Sequence, residues 1–140
     1  MRGLAIIAAA ALASAGCTPA EEALVTAYDG IGAGETISLG GTEPFWGISI
    51  AGDGPTYTLT YSTPDNIEGD SAEVTRFAGN GGLSFSGTLS GEAITAAITP
   101  GECTDGMSDR TYPFTATVQL GEDLLTGCGH TDKQPYTGIE

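Results

Sequence analysis

The stretch GECTDGMSDRTYPF, residues 101–114, gathers side chains of four chemical types: Cys103, Asp105, Met107 and Ser108. The cysteine thiol could be a nucleophile, a soft-metal ligand or half of a disulfide, and each role implies a different class of protein. The segment therefore has to be interpreted together with the other cysteines and the histidine of the chain.

Ser108 has two potential catalytic partners, Asp105 beside it and His130, the sole histidine of the chain. A serine nucleophile needs a general base, and a disulfide between Cys103 and Cys128 would carry His130 toward this segment. However, no Gly-x-Ser-x-Gly elbow surrounds Ser108, and Asp and Ser in a glycine-containing loop are ordinary turn formers. We therefore expect no catalytic residue and a non-enzymatic protein.

Glu43 and Trp46 begin the first long strand of the sequence, and an acid beside a lone tryptophan could form a sugar-stacking site. The interpretation we favour is that Trp46 fills the protein interior and Glu43 caps a turn or accepts backbone hydrogen bonds. The candidate binding residues of the chain are Glu43, Trp46, Asp105, Met107, Ser108 and Arg110.

Residues 1–16 have the layout of a secretory signal, with a cation at Arg2, an apolar run from Leu4 to Ala13 and then small residues. A membrane-spanning helix needs roughly 20 apolar residues, about twice the length of this run. We therefore expect the segment to be cleaved as a signal peptide.

The cleavage site predicts a lipoprotein, because the small residues 14–16 stand directly before Cys17, as in a bacterial lipobox. The usual leucine is replaced by Ser14, and ordinary cleavage after Ala15 is the alternative. Two or three acyl chains on Cys17 would anchor the protein stably where one would not. Thr18 occupies the position where aspartate signals inner-membrane retention, so we expect an outer-membrane lipoprotein that faces the periplasm.

Once Cys17 is assigned to lipid, Cys103 and Cys128 remain in an oxidising compartment, where a disulfide is the simplest outcome. The bond would stabilise the fold by about 3–4 kcal/mol on the chain-entropy argument. A soft-metal site of these two cysteines with Met107 and His130, or a redox pair, is the weaker alternative. Because the chain has no Cys-x-x-Cys and no paired-ligand spacing, we expect no metal and no cofactor.

From Glu35 onward, apolar and polar residues alternate with the period of strands, and Gly and Pro turns interrupt the alternation. The pattern predicts seven or eight short strands in a small antiparallel β-barrel, with a two-sheet sandwich as the alternative. Residues 64–71 are expected to form a polar loop, and Gly87 a bend or bulge. The predicted boundaries are a signal peptide at 1–16, a lipidated tether at 17–35, the barrel at 36–130 and a loose C-terminal tail at 131–140.

Formal net charge is −14 for the whole chain, and loss of Arg2 with the signal would make it −15. Such a surface repels nucleic acid, which is recognised through basic patches, and it also repels anionic lipid. It could steer a cationic partner, although acidity in an exported domain is also explained by solubility alone.

Three separated motifs resemble those of an uncharacterised family of bacterial envelope proteins and lipoproteins. They are GTEPFWGISI, CTDGMSDRTYPFTATVQL and LTGCG, and they occur in order across residues 38–129. The family pattern is Glu-Pro-Phe-Trp, Cys-x-Asp-x-Met-Ser, Tyr-Pro and a closing Gly-Cys, with Thr42 here in place of glycine or asparagine. The resemblance implies an exported β-domain and leaves the activity open.

The size and strand pattern are also distantly similar to META or HslJ-like domains and to inhibitors of C-type lysozyme, but no functional residue carries over from them. The first hypothesis is a lipid-anchored periplasmic module that binds an envelope component or a partner protein. The second is an inhibitor of a basic C-type lysozyme-like hydrolase, acting through its acidic face and the loop Thr104–Arg110.

Overall fold

A computed structural model of the chain describes residues 27–138, and in this range eight antiparallel strands close into one barrel. Each strand pairs with the next along the chain, and the first pairs with the last. The predicted all-β antiparallel barrel is confirmed. Within residues 27–138 no helix is long and apolar enough to cross a membrane. The strands are β1 Ile37–Thr42, β2 Phe45–Ala51, β3 Thr56–Thr63, β4 Asn66–Ala78, β5 Leu83–Leu89, β6 Glu92–Thr104, β7 Thr111–Leu120 and β8 Asp123–Thr131.

The barrel interior is a packed apolar core. Alternate residues point inward along each strand, as in Trp46, Ile48 and Ile50 of β2, while the intervening residues face solvent. Phe85 and Ile98 are completely buried. Burial of each such side chain contributes about 1.5–3 kcal/mol, so the filled interior is the main source of stability.

The up-and-down order of the strands gives the barrel two distinct ends. Four turns, β1–β2, β3–β4, β5–β6 and β7–β8, lie at one end, which we call the hairpin end. The β5–β6 turn is a two-residue turn in which Ser90 has φ 49° and Gly91 has φ 85°, the positive values that a type I′ hairpin requires. The remaining turns and both ends of the described chain lie at the other end, which we call the capped end.

The segment before β1 packs across the capped end. Ile31 is only 1% exposed there. The guanidinium of Arg76 donates to the carbonyl oxygen of Ile31 at 2.7 Å, and the Tyr57 hydroxyl donates to the carbonyl oxygen of Ala33 at 3.2 Å. Residues 27–35 therefore belong to the folded domain, and the prediction that the tether extends to residue 35 is wrong for these residues.

Glu35 ties this segment to the C-terminal residues. Its carboxylate accepts hydrogen bonds from the Thr131 hydroxyl at 2.6 Å, from Gln134 Nε2 at 3.1 Å and from the Gly32 amide. Burial alone would raise the pKa of Glu35, but these hydrogen bonds outweigh burial and hold the pKa below its usual range. Residues 131–138 are thus attached to the barrel, whereas a loose tail was expected, and residues 139–140 lie outside the described part.

Two other local predictions are wrong. The expected loop at 64–71 is reduced to a two-residue turn, since β4 already begins at Asn66 and pairs back with β3. Gly87 is regularly paired on both sides, and the register shifts lie elsewhere. A Cβ at Gly87 would lie 2.4 Å from the carbonyl oxygen of Glu73, so glycine allows the close approach of β4 and β5.

The indole of Trp46 lies inside the barrel, beneath the seam where β1 meets β8. It is 5% exposed, which agrees with the barrel-filling interpretation. A Cβ at Gly41 would lie 2.2 Å from Trp46 Nε1, and one at Gly127 would lie 3.0 Å from Trp46 Cζ2. These two glycines leave the space that the indole occupies.

Substitution Gly41→Ala is expected to displace Trp46 and lower the free energy of unfolding by about 1–3 kcal/mol, as overpacking of a filled core does. Because Trp46 is the sole tryptophan, its emission during urea unfolding reports both the displacement and the stability. Gly81→Ala is the matched control, since a Cβ there meets no atom within 4 Å. Equal unfolding midpoints for both variants would contradict the proposed packing.

Candidate functional site

The predicted disulfide between Cys103 and Cys128 is confirmed, with 5.5 Å between the two Cα atoms. Cys103 is the next-to-last residue of β6 and pairs with Tyr112 of β7. Cys128 lies in β8. The bond spans a sequence separation of 25, for which the chain-entropy argument gives about 3.5 kcal/mol of stabilisation. It fixes the β6–β7 connection against the outer wall of the barrel.

The connection, which we call the disulfide loop (residues 103–110), lies over the outer face of β1 and β8. Two adjoining cavities, of about 230 and 570 Å³, separate the loop from this face. The two cavities share part of their lining, and we call them together the loop groove. The residues that line both cavities are Gly40, Gly41, Thr42, Asp105 and Cys128.

Asp105 stands at the centre of the groove, and its carboxylate also organises the loop. Oδ1 accepts hydrogen bonds from the amides of Met107 and Ser108, each at 2.9 Å, and the Ser108 hydroxyl donates to Oδ2 at 3.0 Å. The amide hydrogen bonds from Met107 and Ser108 are the main reason that the pKa of Asp105 lies below its usual value. The groove therefore contains a carboxylate that stays ionised at neutral pH.

The structure brings three of the six candidate binding residues together in the groove. Glu43 and Met107 line the larger cavity with Asp105, and Met107 is 70% exposed. Trp46 does not reach the groove, because its indole lies inside the barrel. Ser108 and Arg110 line neither of the two cavities; they line a neighbouring depression that Asp105 and Met107 also line.

An aromatic cluster closes the end of the groove nearest the capped end. Tyr112, His130 and Tyr136 contact one another with ring centroids 5.2–5.7 Å apart, and the guanidinium of Arg110 stands 4.4 Å from the centroid of Tyr136. Tyr112 and His130 line the smaller cavity. Sequence reasoning missed Tyr112 as a groove residue. The signal for His130 was present in the sequence, because its two-residue spacing from Cys128 places both side chains on one face of β8.

The hydrogen bonds of the Ser108 hydroxyl lie within the disulfide loop. Its hydroxyl donates to Asp105 and accepts the amide of Arg110 at 3.3 Å, while the ring of His130 packs against the two tyrosines. Partial burial, and then the positive charge of Arg110, lower the pKa of His130, so that its imidazole is neutral at neutral pH.

Neither Cys103 nor Cys128 has a free thiolate, since the two sulfurs form the disulfide. Over the part of the chain that the structure describes, no three His, Cys, Asp or Glu side chains are grouped so as to hold a metal ion.

The lowered pKa of His130 predicts a pH dependence of stability. As the pH falls through about 6.5, the unfolded chain binds a proton that folded His130 resists, so the free energy of unfolding decreases. The variant His130→Gln lacks this titration and is expected to lose less stability between about pH 7.5 and pH 5.5. Urea unfolding of both proteins at the two pH values measures the difference, and an identical loss would show that His130 is not responsible.

Comparison of the chain with known proteins assigns no ligand to this site. No protein-family model matches the chain, and neither the curated proteins nor the solved structures contain a match. What the loop groove binds must therefore be inferred from its own shape and charge.

Proposed function

We propose that this protein is a non-enzymatic binding module of the bacterial cell envelope, which receives part of an envelope component or partner protein in the loop groove. The observation that carries the proposal is the groove itself, a concave surface between a disulfide-fixed loop and a closed barrel wall. Concave sites with a few convergent polar groups are the usual location of ligand binding.

The lining of the groove favours an uncharged or cationic ligand segment. Glycine and threonine residues of β1 and β8 form much of its floor, so backbone groups and hydroxyls are within reach of a ligand. Its charged side chains are the carboxylates of Glu43 and Asp105, and no lysine or arginine among residues 27–138 lines either cavity. An anionic ligand would meet repulsion there, whereas hydrogen-bonding polar segments would not.

Hydrogen bonds, a disulfide and a cation–π contact constrain both walls of the groove. The floor belongs to two strands that are hydrogen-bonded within a closed barrel, and Cys103–Cys128 joins the loop to that floor. Stacking of Arg110 on Tyr136 holds the other end of the loop. Pre-organisation of this kind reduces the entropy lost on binding, which supports a binding role.

Site-specific photocrosslinking in cells tests whether the groove binds a partner. For this test, the photoreactive residue p-benzoylphenylalanine is placed at single positions of the full-length protein. We expect a crosslinked product from position Thr126, which lines the larger cavity, and none from Thr58, an exposed residue on the outer face of β3. Substitution Thr42→Trp should suppress the Thr126 product by filling the groove. Equal products from both positions, or a product insensitive to Thr42→Trp, would overturn the groove as the binding site.

The proposal includes a lipid anchor on Cys17, a residue outside the described part of the chain. Ten positions separate Cys17 from Ala27, so the linking segment spans at most about 35 Å when extended. Because the described chain begins at the capped end, the anchor would enter there.

Cys17→Ser should shift the protein from the membrane fraction to the soluble periplasmic fraction, because the acylated thiol is lost. Immunoblots of the separated fractions measure the shift. Mass spectrometry of the mature wild-type N-terminus should detect an acylated cysteine, and an unmodified N-terminus at residue 16 would contradict the anchor.

A further inference from the structure

All exposed charge at the hairpin end is negative. Every one of its four turns carries at least one acid in the turn or in the strand residues next to it, and these acids are exposed. No lysine or arginine of residues 27–138 lies at this end. The acids are Glu43, Asp65, Glu68, Asp70, Glu92, Glu122 and Asp123.

The three cations of residues 27–138 all lie toward the capped end. Arg76, near the end of β4, donates to the carbonyl oxygen of Ile31. Arg110 stacks on Tyr136, and Lys133 follows the end of β8. The capped end also carries acids, among them Asp53 and Asp109, so its charge is mixed, whereas the charged side chains that the structure describes at the hairpin end are all acidic.

The hairpin end also exposes large apolar side chains. Phe45 at the start of β2 is 54% exposed, Ile67 at the start of β4 is 82% exposed and Leu124 at the start of β8 is 63% exposed. A single exposed apolar residue is ordinary, but three at one end of a small domain, surrounded by acids, have the composition of a docking surface.

From these observations we propose that the hairpin end docks a basic protein, whose lysine and arginine side chains face the acids while apolar side chains contact Phe45, Ile67 and Leu124. Nucleic acid and anionic lipid would be repelled by this end. A second copy of the chain would bring two uniformly negative surfaces together, which like-charge repulsion opposes. A positively charged protein surface is the occupant that the charge and the apolar contacts both favour.

The hairpin end is a separate surface from the loop groove, with Glu43 as the single residue that belongs to both. The further proposal does not rest on the function proposed for the groove. Tests of the hairpin end therefore use residues that line neither cavity, above all Phe45 and Leu124.

The first test maps binding by amide NMR with a synthetic peptide of alternating lysine and leucine, and with a lysine–serine peptide of equal charge as control. With the lysine–leucine peptide, the largest shift changes are expected at Phe45, Ile67, Gly91 and Leu124, and the lysine–serine peptide should bind at least about tenfold more weakly. Changes confined to the loop groove, changes spread over both barrel ends, or no binding at low salt would each overturn the proposal.

The second test measures affinity by calorimetry with a basic C-type lysozyme as the probe, at about 150 mM salt, where long-range attraction is screened. The double variant Phe45→Ser/Leu124→Ser should bind about tenfold more weakly than the wild type. Phe77→Ser is the matched control, because Phe77 is 67% exposed but lies near the capped end. Equal affinities for all three proteins, or an equal loss in the control, would overturn docking at the hairpin end.

A turbidity assay with the same lysozyme tells whether docking also blocks the hydrolase, which was the second function expected from the sequence. Inhibition by the wild type that Phe45→Ser/Leu124→Ser weakens and Phe77→Ser leaves unchanged would support docking at the hairpin end. Inhibition that persists in the double variant would place the inhibitory contact elsewhere and overturn the proposal for this partner.

Discussion

The contact on which the rest of the structure depends is the short ladder that closes the barrel. β1 and β8 pair over only four residues, from Ile37 opposite Thr131 to Gly40 opposite Cys128. At that last pair, three features meet: the ladder ends, the disulfide leaves Cys128 for the loop, and Trp46 lies beneath Gly41 and Gly127. A Cβ at Gly41 would collide with the indole, and one at Gly127 would lie 2.0 Å from the carbonyl oxygen of Gly40. The same two glycines therefore set both the packing of Trp46 and the shape of the groove floor.

Closure of the barrel also explains why residues 27–35, which we call the cap, pack across the capped end. Strand closure pairs the backbone, but it leaves the apolar residues nearest the end of the barrel open to water. Ile31 covers them at one end, and the buried carboxylate of Glu35 is compensated by hydrogen bonds from Thr131 and Gln134. The cap brings the start and the end of the described chain together, so neither residue 27 nor residue 138 lies at the acidic hairpin end.

The fold could be predicted from the sequence because its evidence is local. Alternation of period two, as in Tyr57 and Leu59, marks the inward face of each strand without knowledge of its neighbours. The disulfide could be predicted by counting the cysteines of a chain whose sequence predicts export. The cap could not be predicted, since Ile31 stands alone in a glycine-rich segment and is buried only by residues far away in sequence. The groove was missed for the same reason: a cavity arises from the way a loop lies over strands, which no local pattern encodes.

The proximity of the two proposed surfaces follows from the geometry of β8. Leu124, Thr126, Cys128 and His130 alternate with inward-facing residues along one strand, so a single face runs from the hairpin end to the aromatic cluster. Leu124 belongs to the apolar contacts of the hairpin end, and Thr126, two residues further on, already lines the groove. A change at Glu43 alters the charge of both surfaces, because its carboxylate is common to them. Thr126 lines the groove, whereas Leu124 lines neither cavity and belongs to the hairpin end. Substitutions at these two positions can therefore distinguish binding in the groove from docking at the hairpin end.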